Sequence, residues 1–284
     1  MHHAPPVPLS SLLLLPLLLL ALLPQAAHAQ RSLAPLSPSG QSVTPVFEGW
    51  YKNPDGTYSI SFGYYNRNAT ERLDIPAGDE NFVSPGVPNQ GQPANFAPRR
   101  HYGVFAVVVP ADFGEKKVTW TLKDRGQTFA ISGSLREEWQ IDALEGEASE
   151  DNTPPALRFP GSTTDARGPL GATVGPLTVA VGAPLALTVN VTDDGHTRIA
   201  GPNGTRVGYP VTLTWFKHQG PGDVAFTPDN SRLTAEGGVG KTSATFTKAG
   251  DYIVRVRAND SAVASAGHSQ CCWTNGFIKV TVTP

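Results

Sequence analysis

The residues able to do chemistry lie mainly in the second half of the chain. Cys271 and Cys272, the only cysteines among 284 residues, are adjacent within GHSQCCWTNG. An exported chain meets an oxidising compartment, so the one intramolecular bridge open to them is with each other. Adjacent Cα atoms are about 3.8 Å apart, below the roughly 4.4 Å typical of disulfides, so the pair can close only in a loop or with a distorted peptide. Gly267 on one side and Asn275-Gly276 on the other are turn formers, and Trp273 could cover one side of the ring. This predicts a rigid, ligand-facing Cys271–Cys272 disulfide, with free thiols, intermolecular bridges and metal as alternatives. With His268 the two thiols supply three soft ligands, too few alone for a closed zinc site.

Asp193, Asp194, Asn259 and Asp260 sit at the ends of two expected strands that are neighbours in an immunoglobulin-like sandwich. Their oxygens suit a hard cation, so calcium is the candidate ion, although Asp and Asn also favour strand ends as turn formers. Besides His268, three histidines follow position 30: His101, His196 and His218. The only methionine is Met1, which leaves a copper centre of the cupredoxin type without its usual axial ligand. Ala235 to Thr242 fits a relaxed phosphate-loop pattern, but a polar stretch precedes it and a strand-like SATFT follows, where the chemistry needs a buried strand and then a helix. It reads as a glycine-rich turn. No nucleophile elbow, zinc-protease helix or cysteine-protease signature occurs.

Two further features suggest binding. Ile75 to Arg100 is a long connection rich in Pro, Gly, Asn and Gln, and loops of this length are more often functional than decorative. Its candidate ligand-binding residues are Asn81, Phe82, Asn89, Gln90, Gln92, Phe96, Arg99 and Arg100. In a hairpin turning at Pro54-Asp55, Trp50 shares a face with Glu48 and Lys52 and lies opposite Ser59, while Tyr65 lies opposite Thr44. Both aromatics are then outward candidates, roughly 20 Å apart along the strands.

The elements that position these groups are strands. TYSISFGYY places Tyr58, Ile60, Phe62 and Tyr64 on one face and Ser59, Ser61, Gly63 and Tyr65 on the other, a half-buried strand. Asn53-Pro54-Asp55-Gly56 turns it back onto FEGWYKN. HYGVFAVVVP, KKVTWTLK and QTFAISGSL add three strands. Alternation resumes with Leu185, Leu187, Val189 and Val191, then Leu213 and Trp215, then Tyr252 to Ala258, then Ile278 to Val282. No sustained helical period appears. The fold expected is all-β: two immunoglobulin-like antiparallel β-sandwich domains in tandem after a signal peptide.

Residues 1–29 contain no charged residue besides histidine and carry LLLLPLLLLALL before Ala27-His28-Ala29, the pattern of a cleaved secretory signal. Residues 30–43 read as a mobile tail, 44–144 as the first sandwich, 145–176 as a Pro/Gly/acid-rich linker and 177–284 as the second sandwich. A net charge of −2 provides no basic field for nucleic acid, and no later segment is apolar enough to span a membrane. Sequons at Asn68, Asn190, Asn203 and Asn259 matter only in a glycosylating pathway.

The second half resembles PKD-type and related immunoglobulin-like modules, on PLALTVNVTDDG, VTLTWFK and KAGDYIVRVRANDS, with Gly250, Tyr252 and Asp260 matching the family's G-x-Y strand. WFKHQGPGD stands where that family has W-D-F-G-D-G. The resemblance implies an extracellular spacer or binding module. The expected function is therefore a secreted, periplasmic or cell-surface, non-catalytic binding, adhesion or assembly protein. Its partner would be an extracellular protein or glycan, with no organic cofactor. The alternative is a secreted enzyme or accessory module using a metal near His268, Cys271 and Cys272.

Overall fold

A computed structural model describes residues 37–141, 152–196, 198–200, 206–260 and 272–284, together with His2. The expected signal apart from His2, residues 30–36 of the tail, His268 and Cys271 lie outside the described residues. Nineteen strands and one 3-10 turn are present among those described, and no described helix is long and apolar enough to cross a membrane.

The first half contains β1 (Val43–Lys52), β2 (Tyr58–Asn66), β3 (Leu73–Asp74), β4 (Asn81–Ser84), β5 (Asn95–Phe96), β6 (Arg99–Val109), β7 (Val118–Asp124) and β8 (Gln127–Gly133). Two antiparallel sheets, ordered β1-β2-β6 and β4-β7-β8, enclose one core, with the short pair β3-β5 at its margin. Phe62, Phe105, Phe96 and Trp120 fill it, with ring centroids 5.0 Å apart for Phe105 and Trp120 and 5.5 Å for Phe62 and Phe105. The β1–β2 turn forms as the sequence predicts: Asn53 N donates to Thr57 O and Gly56, at φ 86°, donates to Asn53 O. Arg125 and Gly126 both take positive φ between β7 and β8, the geometry a two-residue hairpin requires.

The β1–β2 register departs from expectation in one place. Tyr65 does face Thr44, but Trp50 faces Ile60 rather than Ser59, because a bulge at Glu48 inserts one residue. That bulge turns Glu48 inward, so it does not share an exposed face with Lys52. It is buried against Arg100, Nη2 to Oε1 2.6 Å, and a Cβ on Gly63 would strike its carboxylate.

The second half contains β9 (Ala156–Arg158), β10 (Ala172–Ala180), β11 (Leu185–Thr192), β12 (Arg198–Ala200), β13 (Arg206–Gly208), β14 (Thr212–Gln219), β15 (Val224–Thr227), β16 (Asn230–Arg232), β17 (Gly237–Phe246), β18 (Gly250–Asn259) and β19 (Trp273–Thr283). Sheets ordered β10-β19-β18-β14-β16 and β15-β17-β11-β9 face each other across a second core. The order is that of an immunoglobulin-like sandwich, with β9 antiparallel to β11 in one sheet and β10 parallel to β19 in the other. This sandwich starts before 177. Leu157 and Phe159, from the stretch read as a linker, lie in its core because β9 pairs with β11. The phosphate-loop pattern lies largely in β17, with Lys241 opposite Thr188, so no helix N-terminus is present there to receive a phosphate.

Residues 37–284 form one compact unit although they contain two cores. On β2, Ser59 and Ser61 are as fully buried as Ile60 and Phe62. The face expected to meet water is covered.

Candidate functional site

Three places group the predicted residues: the junction between the sandwiches, a groove beside Trp50, and the acidic end of the second sandwich.

The junction begins at an irregularity in β6. Pairing with β2 runs Phe62 to Phe105 and then Tyr64 to His101, so β6 has two extra residues around Gly103, which sits at φ 43°. The displaced Gly103 carbonyl accepts from Asn275 Nδ2 at 2.7 Å and Trp273 Nε1 at 3.3 Å. Nearby, Leu170 N donates to the buried Tyr51 hydroxyl at 2.8 Å. At the other end of the junction, the 75–100 loop docks on β14. Ala94 N donates to His218 O, His218 Nε2 donates to Gly91 O at 2.8 Å, and Gln219 Nε2 donates to Gln92 O at 2.6 Å. Lys217 reaches Asp74 at 2.9 Å.

Between these contacts lies a cationic and aromatic layer. The Arg255 guanidinium stacks 4.4 Å from the Phe216 ring centre and donates to Asn275 Oδ1, while His101 stacks on Tyr64 at 4.8 Å. Burial lowers the Arg255 pKa to about 9 and those of His101 and His218 to about 3, with Arg255 adding to both histidine shifts, so both rings are neutral. Each histidine Nε2 then donates to a carbonyl, His101 to Pro98 and His218 to Gly91.

The loop residues expected to meet a ligand largely serve this architecture. Asn81 is buried, donating to Ile75 O and Pro93 O and accepting from the Trp120 indole. Gln92 is buried and holds Asn81 O and Pro88 O, Gln90 binds the Pro85 carbonyl, and Phe96 is core. Phe82 is half-buried with Lys123 above its ring, and Asn89 pairs with Gln219 across the junction. Arg100 is tied to Glu48. Arg99 covers Tyr65 at φ 75°, so Tyr65 is not an open platform.

Trp50 is better placed. Its ring meets Tyr58 edge-on at 5.5 Å and its Nε1 donates to Arg136 O at 2.6 Å. The pair lines an open groove of about 640 Å³ with Glu115, Lys117, Ser134 and Arg136. Tyr58 was legible only as a member of the inward face of its strand, and Glu115 and Lys117 carry no local signal, because the groove is assembled from three separate turns and strand ends.

At the acidic end, Asp193 follows β11 and Asp260 follows β18. Asp194 accepts from Thr153 N and Oγ1 through one oxygen and from His196 N through the other. Asn259 lies in the β18 ladder between Thr212 and Trp273. Among the described residues, no three His, Cys, Asp or Glu side chains are grouped to hold a metal. Cys272 is fully buried beside Asn152, a position that does not face a ligand, and no free cysteine occurs among the described residues. Trp273 serves the junction instead of a cysteine ring.

No family model and no curated protein matches the chain. Solved structures with some similarity include the D00-D0 domain of Intimin, at 10% identity and TM-score 0.27, covering 86% of this chain and 100% of that one. Others are S-layer protein SbsC domains 4 and 5, at 9%, TM-score 0.25, 76% and 96%, and Titin-A168169, at 10%, TM-score 0.23, 84% and 99%. Likeness at this level carries no argument. The immunoglobulin-like class rests on strand order, and the narrower PKD-type likeness rests only on the motifs quoted above.

Proposed function

We propose that the protein is an exported, non-catalytic binding protein whose two sandwiches act as one rigid arm, with the Trp50–Tyr58 groove as its contact surface for a glycan. The groove carries this reading. It pairs two aromatic rings with a carboxylate, two cationic side chains and a hydroxyl, apolar faces for sugar C–H groups beside partners for sugar hydroxyls. The junction supports it by holding the groove on a fixed body, which lowers the ordering cost of binding.

A glycan array followed by titration calorimetry on the best ligand tests the reading. Substituting Glu115 and Lys117, both exposed, with Ala should weaken binding about tenfold or more while melting stays within about 0.5 kcal/mol of wild type. Binding that survives this change unaltered places the contact elsewhere and removes the groove from the account.

A further inference from the structure

The second sandwich ends in a buried carboxylate with no ion pair among the described residues. Asp260 is completely buried, and neither of its oxygens has a hydrogen-bond partner of good geometry. Among the described residues, Asp193 Oδ1 is also buried without a hydrogen-bond partner, and its Oδ2 accepts from Gly195 N. Burial first, then the Asp193 charge, pushes Asp260 up to about 8, and burial pushes Asp193 up to about 6, with the Asp194 charge adding to both and Arg167 pulling Asp193 back. The nearby cation, Arg167, is bound to the Pro154 carbonyl and to Thr153 Oγ1. Burying an ionised carboxylate without compensation costs several kcal/mol, a penalty that folds avoid unless the group has a use.

We propose that Asp193 and Asp260, with the side-chain amide of Asn152, form a calcium site at this end of the second sandwich. Asn152 is buried and its side chain reaches Asp260. Two carboxylates and an amide oxygen are an all-oxygen donor set that suits a hard cation and leaves positions for water, whereas zinc would favour nitrogen or sulfur. Asp194 is not a ligand in this arrangement. It pins Thr153, and so fixes the neighbouring Asn152. The ion would tie three strand ends together: Asp193 beyond β11, Asp260 beyond β18, and Asn152 leading into β9. Asp260 N also donates to Cys272 O, which links the site to the chain entering β19 and thus to Trp273.

The test is melting and titration calorimetry on the full purified protein, stripped with chelator and returned to chelator-free buffer, with calcium chloride as the probe. Calcium at about 5 mM should raise Tm by several degrees with one ion bound, as for extracellular sites with Kd of about 1 mM or tighter. The Asp193→Asn, Asp260→Asn double variant should lose that rise while its calcium-free Tm stays at or above wild type, because burial disfavours the ionised form of both carboxylates and an amide carries no charge. Asp251→Asn, an exposed acid at the opposite end of β18, should retain the calcium response. No response of the wild type at about 10 mM calcium, or a response retained in the double variant, overturns the site.

Discussion

Trp273 and Gly103 meet across the junction in a contact that admits no side chain on the glycine. The indole Nε1 donates to the Gly103 carbonyl at 3.3 Å, and a Cβ on Gly103 would lie 2.5 Å from indole Cζ2. One residue belongs to β6 and the other to β19, 170 positions apart, so the contact joins the first sandwich to the second.

Gly103→Ala should therefore destabilise by about 3 kcal/mol or more, combining left-handed backbone strain with displacement of Trp273. Gly114→Ala is the control. Gly114 has φ 61° but its nearest neighbour would be 3.9 Å away, so only the backbone term of about 1–2 kcal/mol applies. Urea unfolding compares the two, and equal losses would show that Trp273 yields freely.

Arg99 and Arg100 are adjacent and should behave differently. Arg100→Ala leaves Glu48 buried without its cation, a change expected to cost about 3 kcal/mol. Arg99→Ala removes a stacking contact over Tyr65 and should cost less than about 1 kcal/mol. Denaturant midpoints of the single variants check this, and equal losses contradict it.

The buried histidines predict acid sensitivity. The folded His218 pKa is about 3 against an ordinary 6.5, so between those values the unfolded chain binds a proton that the folded chain excludes. Its contribution is fully present above pH 6.5 and falls as pH drops from 6.5 toward 3. The stability difference between wild type and His218→Gln should hence be flat above pH 7 and shift against wild type below about pH 6, by about one proton's slope. A difference that is independent of pH would show the ring to be charged in the fold.

Cys271 and Cys272 should titrate as no free thiol in a monomer purified and denatured without reductant. Reduction should lower stability only slightly through the unfolded chain, since the bridge closes almost no loop. Two reactive thiols per chain would remove the bridge.

Periodicity carried the cores. Leu187, Val189, Leu213, Trp215, Tyr252, Val254, Ile278 and Val280 all lie in the second core, and Ile60, Phe62 and Tyr64 in the first, because alternation is a local consequence of the pleat. What covers the outer face was not local. Ser59 and Ser61 look like solvent-facing residues, but the chain around Trp139 and Ile141 packs on Gly49, the β1 partner of Ser61, and Leu170 reaches Tyr51, the partner of Ser59. The polar 75–100 loop misleads for a related reason: amides that could bind a ligand are the same groups that satisfy a buried backbone. Asp260 was legible as a strand-end acid, whereas its complete burial appears only in three dimensions.

Calorimetric unfolding of the purified protein tests the central claim, that the junction makes one arm of two sandwiches. The account predicts a single transition whose calorimetric and van't Hoff enthalpies agree, lost as a single transition when Trp273 is replaced by Ala. Two separable transitions in the wild type would contradict it.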